Sequence, residues 1–593
     1  MSIKPTTPTL IPVAHISQII ENEPFGFQVE GVELVAVKTG DAINVYQGHC
    51  PHQMAMLSEG KVHKGNLICH MHGWTFDCAS GEKVNDDSVC LRKFKSRVDD
   101  DRLLIETEDL RSWVDAKQEK PLKEVVVRNI DELPGPKGVP LLGNIHQIDL
   151  KKLHQSLETW SQAYGSLYKI KFGKNPVVVT TDPELGQQIL KQRPEGYRRL
   201  TKMDNVIQEA GIHGVFNAEG TDWKKQRRIT AQSLNVGHLK EFFPTLIKVA
   251  RKLKKRWDKS VSTEGVIDIQ NDLMRFTVDV TTNLAFGYNM NTLDEESDAI
   301  QAHLEKVFPS LFRRINAPIP YWRYFKMPTD RAFERSMAAI KEKVVEFIST
   351  TREKMKSQPE LYDRPTNFLE ALLAESRKED TLSDHEIVGN VFTMLLAGED
   401  TTAHSLSWMV YYMCLNPEVQ RKMQEEADHI IPNEDGIAEG YDQIGKLSYI
   451  EAVAHESMRL KPVAPLLFFE PLKDVVLGDV NVPRGTGVVV QTRYAVLQDE
   501  HFTKAAEFLP ERWLSDRDDQ FEKHNVNAFV PFGGGPRYCP GRSLALTEIK
   551  MVAAMLCRHF DISLVTEPGN VEEIMAFAMM PGKFSVKLSP RQK

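Results

Sequence analysis

The sequence predicts two folded bodies in one chain: a small all-β unit, then a large, mainly helical (α+β) body. Three observations predict it. A chain of 593 residues exceeds what one hydrophobic core organises. Residues up to 107 read as short alternating strands, and the chain from 129 onward carries long runs of helical spacing. In the β part, Phe25, Phe27 and Val29 alternate, Ile43 and Val45 follow the Gly40-Asp41 turn, and Leu103-Leu104-Ile105 follow a run of aspartates. Residues 108–128 turn charged and lose clear periodicity, as in Ala116-Lys117-Gln118-Glu119-Lys120-Pro121, which suits a tether. The expected division is therefore 1–107, a linker over 108–128, and 129–593. Leu133-Pro134-Gly135-Pro136-Lys137-Gly138-Val139-Pro140 is too proline-rich for a helix and is expected to run stiff and extended. Beyond it helices are expected over 333–357, 382–415 and 541–558, with β-like patches confined to places such as 475–490. There is no internal repeat.

Composition narrows the function. With 41% hydrophobic and 26% charged residues the chain is neither disordered nor fibrous. A balance of 74 Lys+Arg against 82 Asp+Glu, net −8, argues against a nucleic-acid platform. No stretch approaches a membrane span, and Met1-Ser2-Ile3-Lys4-Pro5-Thr6-Thr7 lacks the apolar core of a signal peptide. The expectation is a cytoplasmic protein without a transmembrane anchor. Seven cysteines are too few for a disulfide scaffold, and four of them precede residue 91, which points to metal or redox chemistry near the N-terminus.

Cys50-Pro51-His52 is followed, after a gap of sixteen residues, by Cys69-His70-Met71-His72. Two loops thus each offer one Cys and one His. Thiolates suit iron and sulfide, and neutral imidazoles replace two thiolates on one iron of some [2Fe-2S] centres. The same four side chains alone also permit a tetrahedral Cys₂His₂ zinc site. The second loop runs on into Gly73-Trp74-Thr75-Phe76-Asp77, and the whole pattern resembles the Rieske-type ferredoxin and ring-hydroxylating oxygenase family.

The resemblance covers 1–107. It implies that Cys50 and Cys69 bind one iron of a [2Fe-2S] cluster, that His52 and His72 bind the other, and that His70 is not a ligand. Respiratory members carry an extra Cys in each loop that forms a disulfide, and Ala55 and Met71 stand there instead. Trp74 stands where those members have a serine that raises the potential. This unit therefore looks like the soluble electron-transfer branch, with a potential at the low end of the Rieske range, about −150 mV. Met54 departs from the family's usual glycine. Cys78 and Cys90 are expected to be inert small side chains.

The second constellation is Phe532-Gly533-Gly534-Gly535-Pro536-Arg537-Tyr538-Cys539-Pro540-Gly541, just before an amphipathic helix. A Cys near a helix N-terminus is favoured as thiolate, and the glycines let backbone approach a flat ligand. The pattern F-x-x-G-x-R-x-C-x-G resembles the signature of the cytochrome P-450 family, and further matches extend the resemblance from 129 to 593. It implies one haem b with Cys539 as its thiolate ligand. Glu456-Ser457-Met458-Arg459 looks like the family's E-x-x-R and Phe508-Leu509-Pro510-Glu511-Arg512-Trp513 supplies the arginine of its ion network, a structural group. Trp223-Lys224-Lys225-Gln226-Arg227 resembles the W-x-x-x-R that holds a haem propionate, with Arg537 as the other propionate partner.

Ala397-Gly398-Glu399-Asp400-Thr401-Thr402 matches the family's A-G-x-[DE]-T-[TS] and is expected to interrupt the apolar helix over 382–415. By the resemblance, Asp400 and Thr401 relay the two protons that make O–O cleavage yield water rather than peroxide. One departure is Lys461-Pro462-Val463-Ala464-Pro465-Leu466-Leu467-Phe468-Phe469-Glu470, which lacks a propionate-binding arginine that many members have there.

Together the two resemblances imply a monooxygenase acting on O2 and a hydrophobic small molecule, its electrons passing singly through the fused cluster. A tether of about twenty residues sets an effective concentration around millimolar. No G-x-G-x-x-G follows a strand, so electrons are expected from an external NAD(P)H-dependent ferredoxin reductase. The alternative is that the cluster unit is a redox sensor or partner-docking module and a separate ferredoxin is the donor. A Rieske non-haem oxygenase would need a two-His, one-carboxylate iron site downstream, where the Cys539 pattern stands instead. Val206 to Phe216 and Val307 to Trp322 are expected to line or cover the substrate pocket.

Overall fold

The computed structural model describes residues 10–30, 32–51, 56–69, 74–84, 86–118, 127–294, 299–377, 382–514, 521 and 523–591. The chain divides into two compact units: Met1–Val127 with Gln187–Arg193 and Gly533–Tyr538, and the remainder.

The first unit is built on three antiparallel sheets. Strands β1 (Leu10–His15), β2 (Pro24–Val29), β3 (Val32–Thr39), β4 (Ala42–Gln47), β5 (Lys61–His63), β6 (Asn66–Ile68), β7 (Thr75–Asp77), β8 (Glu82–Lys83), β9 (Asp86–Cys90), β10 (Lys93–Phe94), β11 (Ser96–Asp99) and β12 (Arg102–Glu106) pair in the orders β1-β12-β11, β10-β4-β3-β2 and β5-β6-β7-β8-β9. Period-two alternation decides the packing of β3: Leu34 and Ala36 enter one core with Val45, Phe94, Leu103 and Ile105. Val35 and Val37 enter a second core with Cys50, Cys69, Leu67 and Phe76. Gly40 takes φ +62 in the two-residue turn between β3 and β4, as that hairpin requires.

The segment read as a tether differs at its start. Thr107–Gln118 is a helix with Glu108 and Asp109 in its first turn; Leu110 is buried, and Trp113 meets Phe94 edge-on with centroids 5.3 Å apart. Two apolar residues three apart are a thin helical signal among charges, and only their packing makes it decisive. Residues 119–126 lie outside the described residues.

In the second unit the proline-rich segment lies extended beside strand Leu167–Phe172, where Lys169 N–H donates to Pro134 O at 2.9 Å. A five-stranded sheet runs in the order Leu167–Phe172, Asn175–Thr180, Gly487–Gln491, Leu466–Pro471, Tyr197–Arg199, its second and third strands parallel. The helices expected from periodicity are Pro328–Ser357, Asp384–Leu415 and Arg542–His559. The helix Asp384–Leu415 starts at a capping box, Ser383 Oγ accepting from Glu386 N–H at 3.3 Å and Glu386 Oε2 accepting from Ser383 N–H at 2.8 Å. It is buried on nearly every side and forms the axis of the unit. Among the described residues no helix is long and apolar enough to cross a membrane.

Candidate functional site

Cys50 and Cys69 are both buried in one core of the first unit and neither is in a disulfide. Each sits at the base of a short loop that backbone pairing closes. The first is pinched by the bridge between His49 and Met56 and by Leu57 N–H donating to Gly48 O at 2.8 Å; the second by Cys69 N–H donating to Trp74 O at 2.8 Å. Gly60 holds the loop bases together, because a Cβ there would come within 2.4 Å of Ile68 O, the residue just before Cys69. His52 and His72, the other two expected ligands, lie outside the described residues, as do Met54 and Ala55. Cys78 shares the core, but burial and then the charge of Asp77 push its thiol up to about 11, as befits an inert side chain.

In the second unit Cys539 N–H donates to Phe532 O at 2.9 Å, closing the glycine-rich loop just ahead of helix Arg542–His559. The sulfur is exposed by surface area, yet burial raises its pKa. Against burial act the N–H groups of Gly541 and Arg542 and the charges of Arg227 and Arg542, all favouring thiolate. Trp223 and Arg227 stand one turn apart on helix Gly220–Ser233, both buried. Arg537 ends the short turn Gly535–Arg537, half-buried and grouped with the first unit.

Asp400 and Thr401 stand mid-way along Asp384–Leu415. The expected interruption is absent, since the helix runs unbroken from end to end. What the motif provides is a close crossing: a Cβ at Gly398 would sit 2.4 Å from Thr281 Oγ1 on helix Ile269–Phe286. Thr277 Oγ1 there donates to Glu399 O at 3.1 Å, and Thr401 Oγ1 donates back to Ala397 O at 2.8 Å. Asp400 is only 8% exposed, and burial, then the charge of Glu305, push its carboxyl up to about 7. One turn on, burial lowers His404 to about 4, and its Nδ1 has no hydrogen-bond partner among the described residues.

Glu456 and Arg459 form the buried ion group expected of them, with Arg459 Nε 2.9 Å from Glu456 Oε2 and Arg512 Nε 3.0 Å from Oε1. Sequence reasoning missed a second buried group, in which Glu573 accepts from His154 at 2.7 Å and from Arg493 at 3.0 Å and pairs with Lys461. In the stretch that lacks the family's arginine, Glu470 accepts from Thr201 N–H at 3.0 Å and lies 3.8 Å from Arg198 Nε of the neighbouring strand. It also missed Phe577, held at φ +82 in the hairpin Glu573–Pro581. That ring stacks on Phe308 with centroids 4.9 Å apart and lies 6.1 Å from Phe216, joining the two stretches expected to line a pocket.

Comparison with known proteins agrees with this geometry. Residues 133–588 match the family model of cytochrome P450, and residues 9–95 match that of the Rieske [2Fe-2S] domain. The chain belongs to the cytochrome P450 family. Cytochrome P450 3A6 of Oryctolagus cuniculus is 28% identical over 447 residues, 73% of this chain and 86% of that protein. Putative cytochrome P450 CYP13A3 of Caenorhabditis elegans is 28% identical over 498 residues, 77% of this chain and 94% of that protein. The bifunctional cytochrome P450/NADPH--P450 reductase of Gibberella moniliformis is 27% identical over 474 residues, 78% of this chain but 41% of that protein.

This P450 is thus a monooxygenase with an N-terminal Rieske domain, its cofactors a thiolate-ligated haem and a [2Fe-2S] cluster. Among the described residues, those present fit both groups. Two buried thiols from adjoining loop bases are soft donors suited to iron–sulfur, and Cys539 offers a thiol with buried Arg227 close enough to act on it.

Proposed function

We propose that this P450 inserts one oxygen atom of O2 into a hydrophobic small molecule, drawing electrons singly through its own Rieske domain from an external NAD(P)H-dependent ferredoxin reductase. The overall reaction is R–H + O2 + 2e⁻ + 2H⁺ → R–OH + H2O. What carries the reading is the pairing, in one polypeptide, of a one-electron carrier over 9–95 with a two-electron enzyme over 133–588.

When bound, the haem supplies oxygen activation and the cluster supplies single electrons. Cys50 and Cys69 hold one iron, His52 and His72 the other, and Cys539 is the haem ligand. Burial raises the pKa of that sulfur, and the helix-terminal N–H groups of Gly541 and Arg542, with the charges of Arg227 and Arg542, work against it toward the thiolate an iron ligand needs. Trp223, Arg227 and Arg537 hold the propionates. Asp400, poised at about 7, is a carboxyl that gives up and regains a proton near neutral pH. The Thr401 proton is committed to Ala397 O, which leaves the hydroxyl oxygen to accept and aim the proton that Asp400 supplies. Phe216, Phe308 and Phe577 give the substrate side an aromatic wall suited to an apolar molecule.

The test is the rate at which the red-shifted Soret band of the ferrous carbonyl complex forms under CO with NADH and a generic ferredoxin reductase. Wild type is expected to form it quickly and His52→Ala not at all. Equal rates would mean that the cluster is bypassed, and that the Rieske domain is a sensor or docking module while a separate ferredoxin feeds the haem.

A further inference from the structure

The loop that carries Phe216 into the aromatic wall is fastened to the central helix, and two histidines meet at the fastening. Residues 210–219 join helix Thr201–Glu209 to helix Gly220–Ser233. Within them Val215 N–H donates to Asn390 Oδ1 of Asp384–Leu415 at 3.0 Å, and Asn390 Nδ2 donates in turn to Gln226 Oε1 at 2.9 Å. Backbone meets backbone beside this bond. A Cβ at Gly214 would lie 2.5 Å from Gly389 O, and one at Gly389 would lie 2.6 Å from His213 N. Next to the glycines the rings of His213 and His385 are in contact, their centroids 4.0 Å apart and their planes 46° apart. His385 is exposed in the first turn of the central helix, and His213 is half-buried. Three residues along the loop from His213, Phe216 lies 6.1 Å from Phe577, with Arg199 Cζ 3.7 Å over its ring and Arg199 Nη2 donating to its O at 3.0 Å.

Imidazole is the side chain whose unperturbed charge change falls between about pH 5 and 8. Two neutral rings tolerate this spacing, whereas two imidazolium ions at the same spacing repel. The charged groups around the pair are committed to other partners. On Thr201–Glu209, Asp204 pairs with Arg198 at 2.9 Å, Glu209 accepts from Trp322 Nε1 at 3.0 Å and pairs with Arg323, and Lys202 donates to Ala317 O at 2.7 Å. On the central helix, Asp384 pairs with Arg352 of Pro328–Ser357, and Glu386 accepts from Ser383 N–H at 2.8 Å and from Gln226 Nε2 at 3.4 Å. On Gly220–Ser233, Lys224 pairs with Glu195 at 3.2 Å, Lys225 acts on Glu386, and Arg228 pairs with Glu375 at 3.1 Å. Burial, then the charge of His385, hold His213 below its ordinary 6.5, against the pull of Asp204 and a hydrogen bond to the Gln208 backbone. A histidine so shifted favours the closed loop fully above 6.5 and ceases to do so as pH falls below it.

We propose that the contact between His213 and His385 is a proton-operated latch on the loop 210–219 and so gates the pocket that Phe216 walls. With the rings neutral, the loop lies against Gly389 and Phe216 stays in the wall. With both rings protonated the contact parts, the bond from Val215 to Asn390 is strained, and the loop moves off the central helix. The latch hands no proton to substrate; it controls access. The gate rests on the reading of Phe216 as part of the substrate wall, whereas the latch itself does not.

Two measurements on the full-length protein test it between about pH 7.5 and 5.5. One is hydrogen exchange of the backbone amides of 210–219, taken relative to the intrinsic rate at each pH. The other is the rate at which carbon monoxide, an uncharged probe, binds the ferrous haem after flash photolysis. In wild type both are expected to rise about tenfold on acidification. His385→Phe, an exposed change that keeps a ring against His213 and cannot take a charge, is expected to flatten both profiles at their neutral-pH level. His385→Ala is expected to give the fast exchange at every pH. A flat wild-type exchange profile overturns the latch, and so does a pH response that survives in His385→Phe. Exchange that rises while carbon monoxide binds no faster overturns the gate. Phe216→Ala is expected to speed carbon monoxide binding at both ends of the range, and an unchanged rate there overturns the wall and the gate with it, while the exchange profile still decides the latch.

Discussion

Two carboxyls buried in the helical unit, Glu456 and Asp400, have opposite surroundings. Glu456 is fully buried and accepts from Arg459 twice, from Arg512, from Trp513 Nε1 at 2.8 Å and from Leu509 N–H at 2.9 Å. Both arginines go on to bind backbone carbonyls of 496–507, so the network ties helix Ser448–Leu460 to an otherwise irregular stretch. Asp400, nearly as buried, accepts no hydrogen bond among the described residues, and the charge of Glu305 raises its carboxyl further. The same functional group is a rivet where its charge is saturated and a movable proton store where it is not.

That contrast is open to attack at three points, taken from the largest expected effect to the smallest. Glu456→Gln leaves two buried guanidinium groups without their counter-charge. The expected cost is about 3–5 kcal/mol in the urea unfolding of the helical unit, and a loss below about 1 kcal/mol would remove the rivet from the comparison. Thr401→Ala touches neither network and is expected to keep the haem spectrum. The share of electrons reaching product falls on the order of tenfold, read as product formed and hydrogen peroxide released per NAD(P)H consumed. Unchanged coupling would sink the relay.

The third point concerns stability against pH. Burial lowers His404 from 6.5 to about 4, so between those values the unfolded chain binds more protons than the folded one. The stability His404 contributes is fully present above 6.5 and lost as pH falls toward 4. Asp400 works the other way, its raised pKa giving stability that is lost as pH rises from 3.8 to about 7. His404→Gln is therefore expected to flatten the acid-side loss in stability scans between pH 4 and 6.5. A scan that superimposes on wild type would show that His404 titrates alike in both states.

Much of the site was legible because its chemistry is local. Cys539 lies beside the helix N-terminus that favours its thiolate, and Trp223 and Arg227 share a face because four residues make one turn. Cys50 and Cys69 were legible from spacing as one Cys in each of two Cys–His loops, while their reading as ligands of one iron came from the family resemblance. Less legible was anything that depended on close approach. The A-G-x-D-T-T stretch looked like a break in its helix, and it is instead an unbroken helix that needs Gly398 to let Thr281 come near. The charged run after residue 107 hid a helix whose Leu110 and Trp113 declare themselves only against Phe94.

By itself the sequence determined which residues are chemically able to hold iron, sulfide and haem, and roughly where strands give way to helices, because donor type and hydrophobic period are properties of short segments. Tertiary structure alone decided which of the buried charges would be neutralised and which left poised. Glu305 acts on Asp400, and Arg493, Lys461 and His154 saturate Glu573, only because distant segments fold together. A carboxyl's proton affinity depends on the water it loses and the charges it meets, and neither exists until the chain is packed.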